Sequence, residues 1–195
     1  MKIFLLIAML SFMIGANAQS ITETPEWSNL IKALDNEQWA DADKLSLELL
    51  KKAPDNGPND PMVAVLRYMY IHAEAGLMND GKLTQDQALK DVIAFKDKMV
   101  VLPGHPIAVK HAFNSIQMVN EKTDSLYIAA TNSNATSIFS FEYIILKDKW
   151  PVEDFKSREG KVFILGGHIQ SITVEGNILP RFRIIIDQAV YRPFE

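Results

Sequence analysis

The sequence predicts an α+β fold in which antiparallel helical hairpins precede a small antiparallel β-barrel or sheet. Apolar residues recur with helical spacing between Trp27 and Met99, and they alternate with a period of two between Phe113 and Tyr191. Residues 103–106, rich in proline and glycine, separate the two patterns. We therefore predict a signal peptide over residues 1–18, a helical domain over residues 19–106 and a β domain over residues 107–195.

The first residues have the pattern of a secretory signal peptide. Lys2 supplies a positive end, the run from Ile3 to Ile14 is apolar, and Ala16 and Ala18 give the small-x-small pattern of a cleavage site. An uncleaved anchor is the alternative, but this run is shorter than the roughly 20 residues that a spanning helix needs. We expect an exported protein, periplasmic or secreted, that is cleaved after Ala18 and has no membrane span in its mature chain.

Composition and charge restrict the classes of function. Of the 195 residues, 48% are hydrophobic and none is cysteine, so the core must hold the fold without disulfides. Residues 19–105 carry 14 acidic and 9 basic side chains, whereas residues 106–195 carry 10 of each. Neither part has the basic balance of a protein that binds nucleic acid or an anionic membrane surface, and we expect neither partner.

Two helices are predicted first. Thr24 as a cap, with Pro25 at the first helical position, predicts where the first helix begins. The pair Asn36-Glu37 interrupts the apolar pattern, and Pro54 ends the second helix. The two apolar stripes consist of Trp27, Leu30, Ile31 and Leu34, followed by Trp39, Ala42, Leu45 and Leu49.

The third helix is predicted to lie between its neighbours. Asp60 and Pro61 repeat the cap-and-proline start, and the residues that follow are apolar around most of the helix. Such a helix has no broad polar face for water, so we place it in the middle of the helical domain. Thr84 caps a fourth helix, whose apolar stripe consists of Ala88, Val92, Phe95 and Met99.

Residues of the first two helices match the spacing of a known repeat. The matching residues are Trp27, Leu30, Ile31, Trp39, Ala42, Leu49 and Pro54. With this spacing the two helix pairs resemble tetratricopeptide repeats, although Ile31 is larger than the family's usual residue. The 46 residues from Ala42 to Ala88 also exceed the family's repeat of about 34. The resemblance implies a concave face on which peptides dock, and a plain four-helix packing unit is the alternative.

The second half of the chain predicts five strands and a short helix. The strands are predicted near Phe113–Asn120, Ser125–Asn132, Thr136–Lys147, Lys161–Val174 and Ile178–Tyr191. The short helix is predicted at residues 150–155, between the third and fourth strands. Two strand faces are apolar, one made by Phe139, Phe141, Tyr143 and Ile145 and the other by Phe182, Ile184 and Ile186.

The order strand, strand, strand, short helix, strand, strand resembles the OB-fold, which is a small five-stranded barrel. Gly166 and Gly167, within the fourth strand, suit the sharp bend that a small barrel requires. A small open sheet or a sandwich is the alternative. The resemblance rests on the order of elements and implies no ligand by itself.

The sequence predicts no catalytic, metal or cofactor site. It lacks a Gly-x-Ser-x-Gly motif, a cysteine nucleophile and a glycine-rich phosphate loop that opens a helix. Residues 79–84 are similar to the middle of a calcium-binding loop, but most of the required carboxylates are missing. The four histidines, His72, His105, His111 and His168, do not have zinc-binding spacing. An enzyme with scattered catalytic residues is a further alternative.

These observations favour a binding or scaffold protein without enzymatic activity. The export signal and the repeat-like helices predict a helical groove that engages a protein or peptide partner. The alternative is a carbohydrate-binding module that uses the β-barrel face, with Tyr143 and Trp150 as its aromatic platform. Arg181 and Arg183, which alternate with Phe182, complete the candidate ligand-binding residues.

Overall fold

A computed structural model of the chain describes residues 19–53, 60–119, 125–133 and 137–194. The signal peptide predicted at residues 1–18 lies outside the described residues. Helices come first and a mixed β-sheet follows, which confirms the predicted α+β class at this level.

The helical part begins with one short helix and continues with two helix pairs. Its elements are α1 (Gln19–Thr22), α2 (Pro25–Asp35), α3 (Trp39–Lys52), α4 (Pro61–Asn79), α5 (Gln85–Val92) and a 3-10 turn (Ile93–Phe95). The three predicted caps are confirmed, because the side chains of Thr24, Asp60 and Thr84 each accept a hydrogen bond from the first turn of their helix. At α5 the cap is reciprocal, since the Thr84 N–H donates to the side chain of Gln87.

The sheet contains seven strands within the described residues. They are β1 (Met99–Val101), β2 (His105–Pro106), β3 (Gln117–Met118), β4 (Ser125–Thr131), β5 (Ser137–Leu146), β6 (Val162–Glu175) and β7 (Arg181–Pro193). Their order across the sheet is β1, β6, β7, β5, β4, β3, and β2 also pairs with β6. β5 and β7 run parallel, whereas the other neighbours are antiparallel. The predicted short helix is confirmed as α6 (Val152–Lys156).

The helix α4 lies at the centre of the molecule. Every residue from Ala64 to Met78 is buried, which confirms the predicted central position. α4 packs against α3 and α5, and it also packs against β1, β5 and β7. The helices and the sheet therefore share one hydrophobic core. The predicted apolar face of the last strand belongs to it, because Phe182, Ile184 and Ile186 are fully buried.

The predicted five-stranded barrel does not form. In the part of the chain that the structure describes, the sheet is open, with β1 and β3 at its two ends. A closed barrel of the five predicted strands would require β3 to pair with β6. Instead, β1 and β2 pair with that edge of β6, so β3 cannot reach it. A bridge between Ile107 and Ile116 connects the chain after β2 with the chain before β3.

The sheet also begins earlier in the chain than the sequence indicates. β1 and β2 both lie within residues 19–106, ahead of the predicted β domain, and both pair with β6. The sequence places Met99 on the fourth helix, but α5 ends at Val92 and Asp97 has a φ of 63°, which a helix cannot contain. The division into two domains at residue 106 stays a prediction, although the sheet takes strands from both sides of it.

A further prediction about a strand is wrong in detail. Strand pairing begins at Gln117 and not at Phe113, because Asn114 has a φ of 53°, which is incompatible with an extended strand. On the predicted apolar face of the third strand, Ile145 is exposed and its neighbour Ile144 is buried. The side chains of Phe139, Phe141 and Tyr143 lie outside the described part of the structure, so that face stays a prediction. The pairing of β5 with β7 is irregular after Ile144, and such an irregularity moves side chains to the opposite face.

Candidate functional site

The aromatic residue predicted to bind a glycan is part of the core. Trp150 is 4% exposed and stacks face to face on Tyr191, with the ring centroids 3.9 Å apart. Phe155 and Phe163 meet the Trp150 ring edge-on, at centroid distances of 5.3 Å and 5.0 Å. A ring enclosed in this way packs one end of the sheet and presents no open face to a sugar.

The other predicted site residues lie on neighbouring strands. Arg181 and Arg183, at the start of β7, both form ion pairs with Glu175 of β6, at 3.8 Å and 2.9 Å. The backbone of Tyr143 lies beside Ile185. At about 3.3 Å per residue, roughly 25 Å of strand separates Arg183 from Tyr191, the residue on which Trp150 stacks. The structure therefore does not bring Trp150 together with the arginines.

The central helix of the predicted repeats, α4, is covered by the protein itself. α4 contributes to one of the two predicted pairs, and its residues from Ala64 to Met78 are buried between the other helices and the sheet. Along this stretch, no side of the helix is open to a partner. A partner must therefore use a surface other than one lined by α4.

A loop on the sheet side offers such a surface. Residues 107–116, which we call the 107–116 loop, are closed at the base by the bridge between Ile107 and Ile116. At its outer side Val109 is 45% exposed and Phe113 is 50% exposed. Loops of this kind, with adjoining ends and internal packing, are frequently functional.

Asn114 fixes the 107–116 loop to the sheet. The Asn114 N–H donates to the carbonyl oxygen of Ala129 at 2.9 Å, and its side-chain Nδ2 donates to Thr131 Oγ1 at 2.9 Å. In return, the Thr131 N–H donates to Asn114 Oδ1 at 3.2 Å. The carbonyl oxygen of Asn114 also lies 3.1 Å from Nδ1 of His105. These bonds hold Asn114 in its left-handed conformation, which is otherwise uncommon for a residue with a side chain.

Buried polar side chains support the loop from below. Ser115, 2% exposed, donates to the carbonyl oxygen of Ala112 at 2.6 Å, and Gln117 Nε2 donates to the same oxygen. Gln117 Oε1 accepts from Nδ1 of His111 at 2.9 Å. His111 in turn meets the ring of Phe113 edge-on, at 5.6 Å between centroids. Hydrogen bonds of the neighbouring residues therefore fix the segment that carries the exposed Phe113.

A second unusual feature is a pair of carboxyl groups buried between helices. Glu74 of α4 is 2% exposed, and its Oε2 atom and the Oδ1 atom of Asp43 on α3 are buried without a hydrogen-bond partner among the described residues. Burial, followed by the proximity of Asp43 and Asp91, raises the pKa of Glu74 to about 8. Burial also raises the pKa of Asp43.

Two histidines are also buried and neutral at pH 7. Burial, with a smaller effect from the proximity of His105, lowers the pKa of His72 to about 4, and burial lowers the pKa of His105 to about 4. The ring of His72 lies 5.4 Å from that of Trp39. Among the described residues, no group of three or more His, Asp or Glu side chains is arranged to hold a metal ion.

Comparisons with known proteins identify no relative. No protein-family model, no curated protein and no solved structure matches the chain. The resemblances to tetratricopeptide repeats and to the OB-fold therefore depend on spacing and on element order alone. In the described part of the chain, no helix is long and apolar enough to cross a membrane.

Sequence reasoning missed both the 107–116 loop and the carboxyl pair. Asn114-Ser115 was a signal for the loop, because both residues are common in turns and asparagine tolerates a positive φ. Glu74 was a signal for the pair, because it is an acidic residue in the middle of a helix that is otherwise apolar around most of its circumference. Neither signal identifies the residue on the facing element.

Proposed function

We propose that the protein is an exported binding protein without enzymatic activity, and that it engages a protein partner through the 107–116 loop. The observation that carries the proposal is Phe113, a half-exposed aromatic side chain on a loop whose backbone is fixed by hydrogen bonds. Export is supported by the predicted signal peptide at residues 1–18.

The physical advantage of this loop is its order before binding. Association costs about 0.5–1.5 kcal/mol for each flexible side chain that becomes immobilised, and a fixed loop avoids part of this cost. Exposed aromatic rings on rigid supports are frequent hot spots of protein interfaces. Lys110 carries the single formal charge in the sequence of the loop. The surface offered to the partner therefore combines the apolar side chains of Val109 and Phe113 with one positive charge. A partner with an apolar pocket and an acidic rim complements this surface.

In this proposal the helices support the binding surface and do not form it. We propose that the helix pairs follow a tetratricopeptide-like plan and that the sheet follows an OB-like order of elements. Two observations favour this role of the helices as a scaffold for the binding surface. α4 packs against both helices and strands, and its residues from Ala64 to Met78 are buried. The carbohydrate alternative is not retained, because its aromatic platform requires an exposed Trp150.

Site-specific photocrosslinking tests the proposal in the native host. A photoreactive phenylalanine analogue replaces Phe113 in one variant and Val190 in a control, because the two side chains are 50% and 51% exposed. We expect one reproducible protein adduct at position 113 that is absent at position 190. We also expect Phe113→Ser to reduce the affinity for the identified protein at least tenfold without changing the thermal midpoint.

The control variant decides between specific and general contact. Equal adducts at positions 113 and 190, or no adduct at position 113, would contradict a partner site on the 107–116 loop. A reduced thermal midpoint of Phe113→Ser would show that the residue supports the fold instead.

A further inference from the structure

The 107–116 loop is attached to the end of β4, where the pairing of β4 with β5 is irregular. Asn114 Nδ2 donates to Oγ1 of Thr131, the last residue of β4, and the Thr131 N–H donates to Asn114 Oδ1. Thr131 pairs with Ser137 of β5, but the register shifts between Ala130 and Thr131. Such a shift disrupts the ladder of backbone hydrogen bonds locally. The position of Thr131, and of the loop bonded to it, therefore depends on further contacts.

The helices supply these contacts through the two residues that follow Thr131. Asn132 Nδ2 donates to Asn79 Oδ1, at the end of α4, at 3.3 Å. The N–H and the hydroxyl group of Ser133 donate to the two carboxylate oxygens of Glu37, in the turn between α2 and α3. Hydrogen bonds to a carboxylate are roughly twice as strong as those between neutral groups, so Glu37 makes the stronger of the two attachments.

Glu37 occupies a position where the end of a helix normally carries glycine. The Glu37 N–H donates to the carbonyl oxygen of Leu34 at 3.2 Å. The next N–H, that of Gln38, donates to the carbonyl oxygen of Ala33 at 2.8 Å, which completes a Schellman cap at the end of α2. Glu37 has the left-handed φ of this cap, 55°, which glycine adopts readily and residues with a side chain rarely adopt. The geometry of the cap does not explain a glutamate here, whereas its hydrogen bonds to Ser133 do.

We propose that Glu37 is a positioning residue for the 107–116 loop: by holding Ser133 it fixes the end of β4, and the end of β4 fixes Asn114. The inference rests on the proposed function, in which this loop carries the partner site. The hairpin formed by α2 and α3 thereby controls how well the loop is ordered before a partner binds. An ordered loop loses less conformational freedom on binding, so Glu37 strengthens binding although it lies outside the loop.

Glu37→Gly separates this role from a role in folding, because the cap and the loop respond differently. Glycine suits the left-handed cap, so we expect an unchanged thermal midpoint. Hydrogen exchange of the free full chain measures the order of the loop. We expect the protection factors of the Asn114 and Thr131 amides to fall about threefold to tenfold, because the hydrogen bonds to Ser133 are lost. The protection of Ile184, fully buried in β7, should not change.

Two further variants serve as controls. Asp97→Gly makes the same kind of change at another place, because Asp97 is an exposed acidic residue with a φ of 63°. It should leave the protection of Asn114 unchanged. Glu37→Gln keeps an acceptor oxygen for Ser133, so its protection factors should lie between those of the wild type and of Glu37→Gly.

Two results of the exchange measurement would overturn the inference. One is wild-type protection of Asn114 and Thr131 in Glu37→Gly. The other is an equal loss of protection at Asn114 and Ile184, since this would mean that Glu37 supports the whole fold.

Photocrosslinking at position 113 tests the partner site separately. A loss of loop protection in Glu37→Gly without any adduct at position 113 would refute the partner site and support the positioning of the loop by Glu37. Where an adduct forms, the affinity of Glu37→Gly for that protein should fall by about the same factor as the protection. An unchanged affinity would contradict the control of binding by the α2–α3 hairpin.

Discussion

Trp39 and Gly76 determine how closely α3 approaches α4. Trp39 is 3% exposed, and its indole ring occupies the space where a residue other than glycine would place its side chain. A Cβ atom on Gly76 would lie 2.6 Å from Cγ of Trp39. Glycine within a helix is normally unfavourable, so this residue is explained by the close contact and not by helix propensity.

We predict that Gly76→Ala lowers the free energy of unfolding by about 2 kcal/mol. Alanine favours the helix by about 1 kcal/mol, but forcing a methyl group into a packed core costs about 1–3 kcal/mol and occasionally more. The overlap with a rigid ring places this site at the upper end of that range. Equilibrium denaturation with urea measures the difference.

A double-mutant cycle separates the contact from other effects. With Trp39→Leu as the background, Gly76→Ala should become neutral or slightly stabilising, because the ring that it strikes is gone. If Gly76→Ala costs the same in both backgrounds, the contact with Trp39 is not its cause.

The sequence predicts burial of single residues better than it predicts their partners. Trp27, Trp39 and Ala42 are buried as their helical spacing predicts. The same spacing does not predict that residue 76 must be glycine, because Trp39, which Gly76 contacts, lies on another helix. Trp150 shows the same limit: its enclosure depends on Tyr191, which is close in space and remote in sequence.

At the level of elements, the pairing of β6 with β7 depends on a second close approach. A Cβ atom on Gly167 would lie 2.7 Å from the carbonyl oxygen of Asp187 and 3.0 Å from Cα of Ala189, both backbone atoms of β7. The pairing of the two strands is irregular between Gly166 and His168. Glycine therefore allows the two strands to stay paired through this irregularity.

We predict that Gly167→Ala destabilises the protein by about 3 kcal/mol, because backbone atoms of β7 cannot move without breaking the pairing. Gly166→Ala is the matched control on the neighbouring residue. Its Cβ would lie 3.2 Å from a methyl group of Val101, a contact that a small side-chain movement relieves. We expect the control to cost less than about 1 kcal/mol by thermal denaturation. Equal costs for the two variants would contradict the argument.

Element prediction succeeds where signals are local. The caps at Thr24, Asp60 and Thr84 are confirmed, because capping depends on residues within one turn. β1 and β2, in contrast, are three and two residues long, too short to show a period of two. Their pairing with β6 depends on residues that lie more than fifty positions later, so no local pattern indicates it.

At the level of the whole molecule, one helix connects all the parts. The apolar circumference of α4 predicts its central position, and the structure confirms it. The sequence cannot show that strands supply part of the surroundings, because an apolar helix face fits a helix or a sheet equally well. The groove predicted for the helical domain stays a prediction, although α4 is covered by the other helices and by the sheet.

The buried ionisable groups of this core make its stability depend on pH in two opposite directions. His72 and His105 have pKa values of about 4 when folded against 6.5 when unfolded, so stability is lost as the pH falls below 6.5. Glu74 has a pKa of about 8 when folded against 4.5 when unfolded, so stability is lost as the pH rises from 4.5 to 8.

These opposing effects predict a maximum of stability near pH 6.5. Between pH 4.5 and 6.5, unfolding binds two protons at the histidines and releases one from Glu74, so the free energy of unfolding rises by about 1.4 kcal/mol per pH unit. Between pH 6.5 and 8, release from Glu74 alone lowers it by about the same amount. Urea denaturation at half-unit steps measures both slopes.

Two variants should each remove one side of this maximum. Glu74→Gln should leave a plateau above pH 6.5, because no proton is then released on unfolding in that range. His105→Gln should flatten the acidic side, since one histidine then balances Glu74. Two results would contradict this assignment: a free energy of unfolding that still falls above pH 6.5 in Glu74→Gln, or an unchanged slope below pH 6.5 in His105→Gln. Either result would mean that groups outside the core around α4 cause the pH dependence.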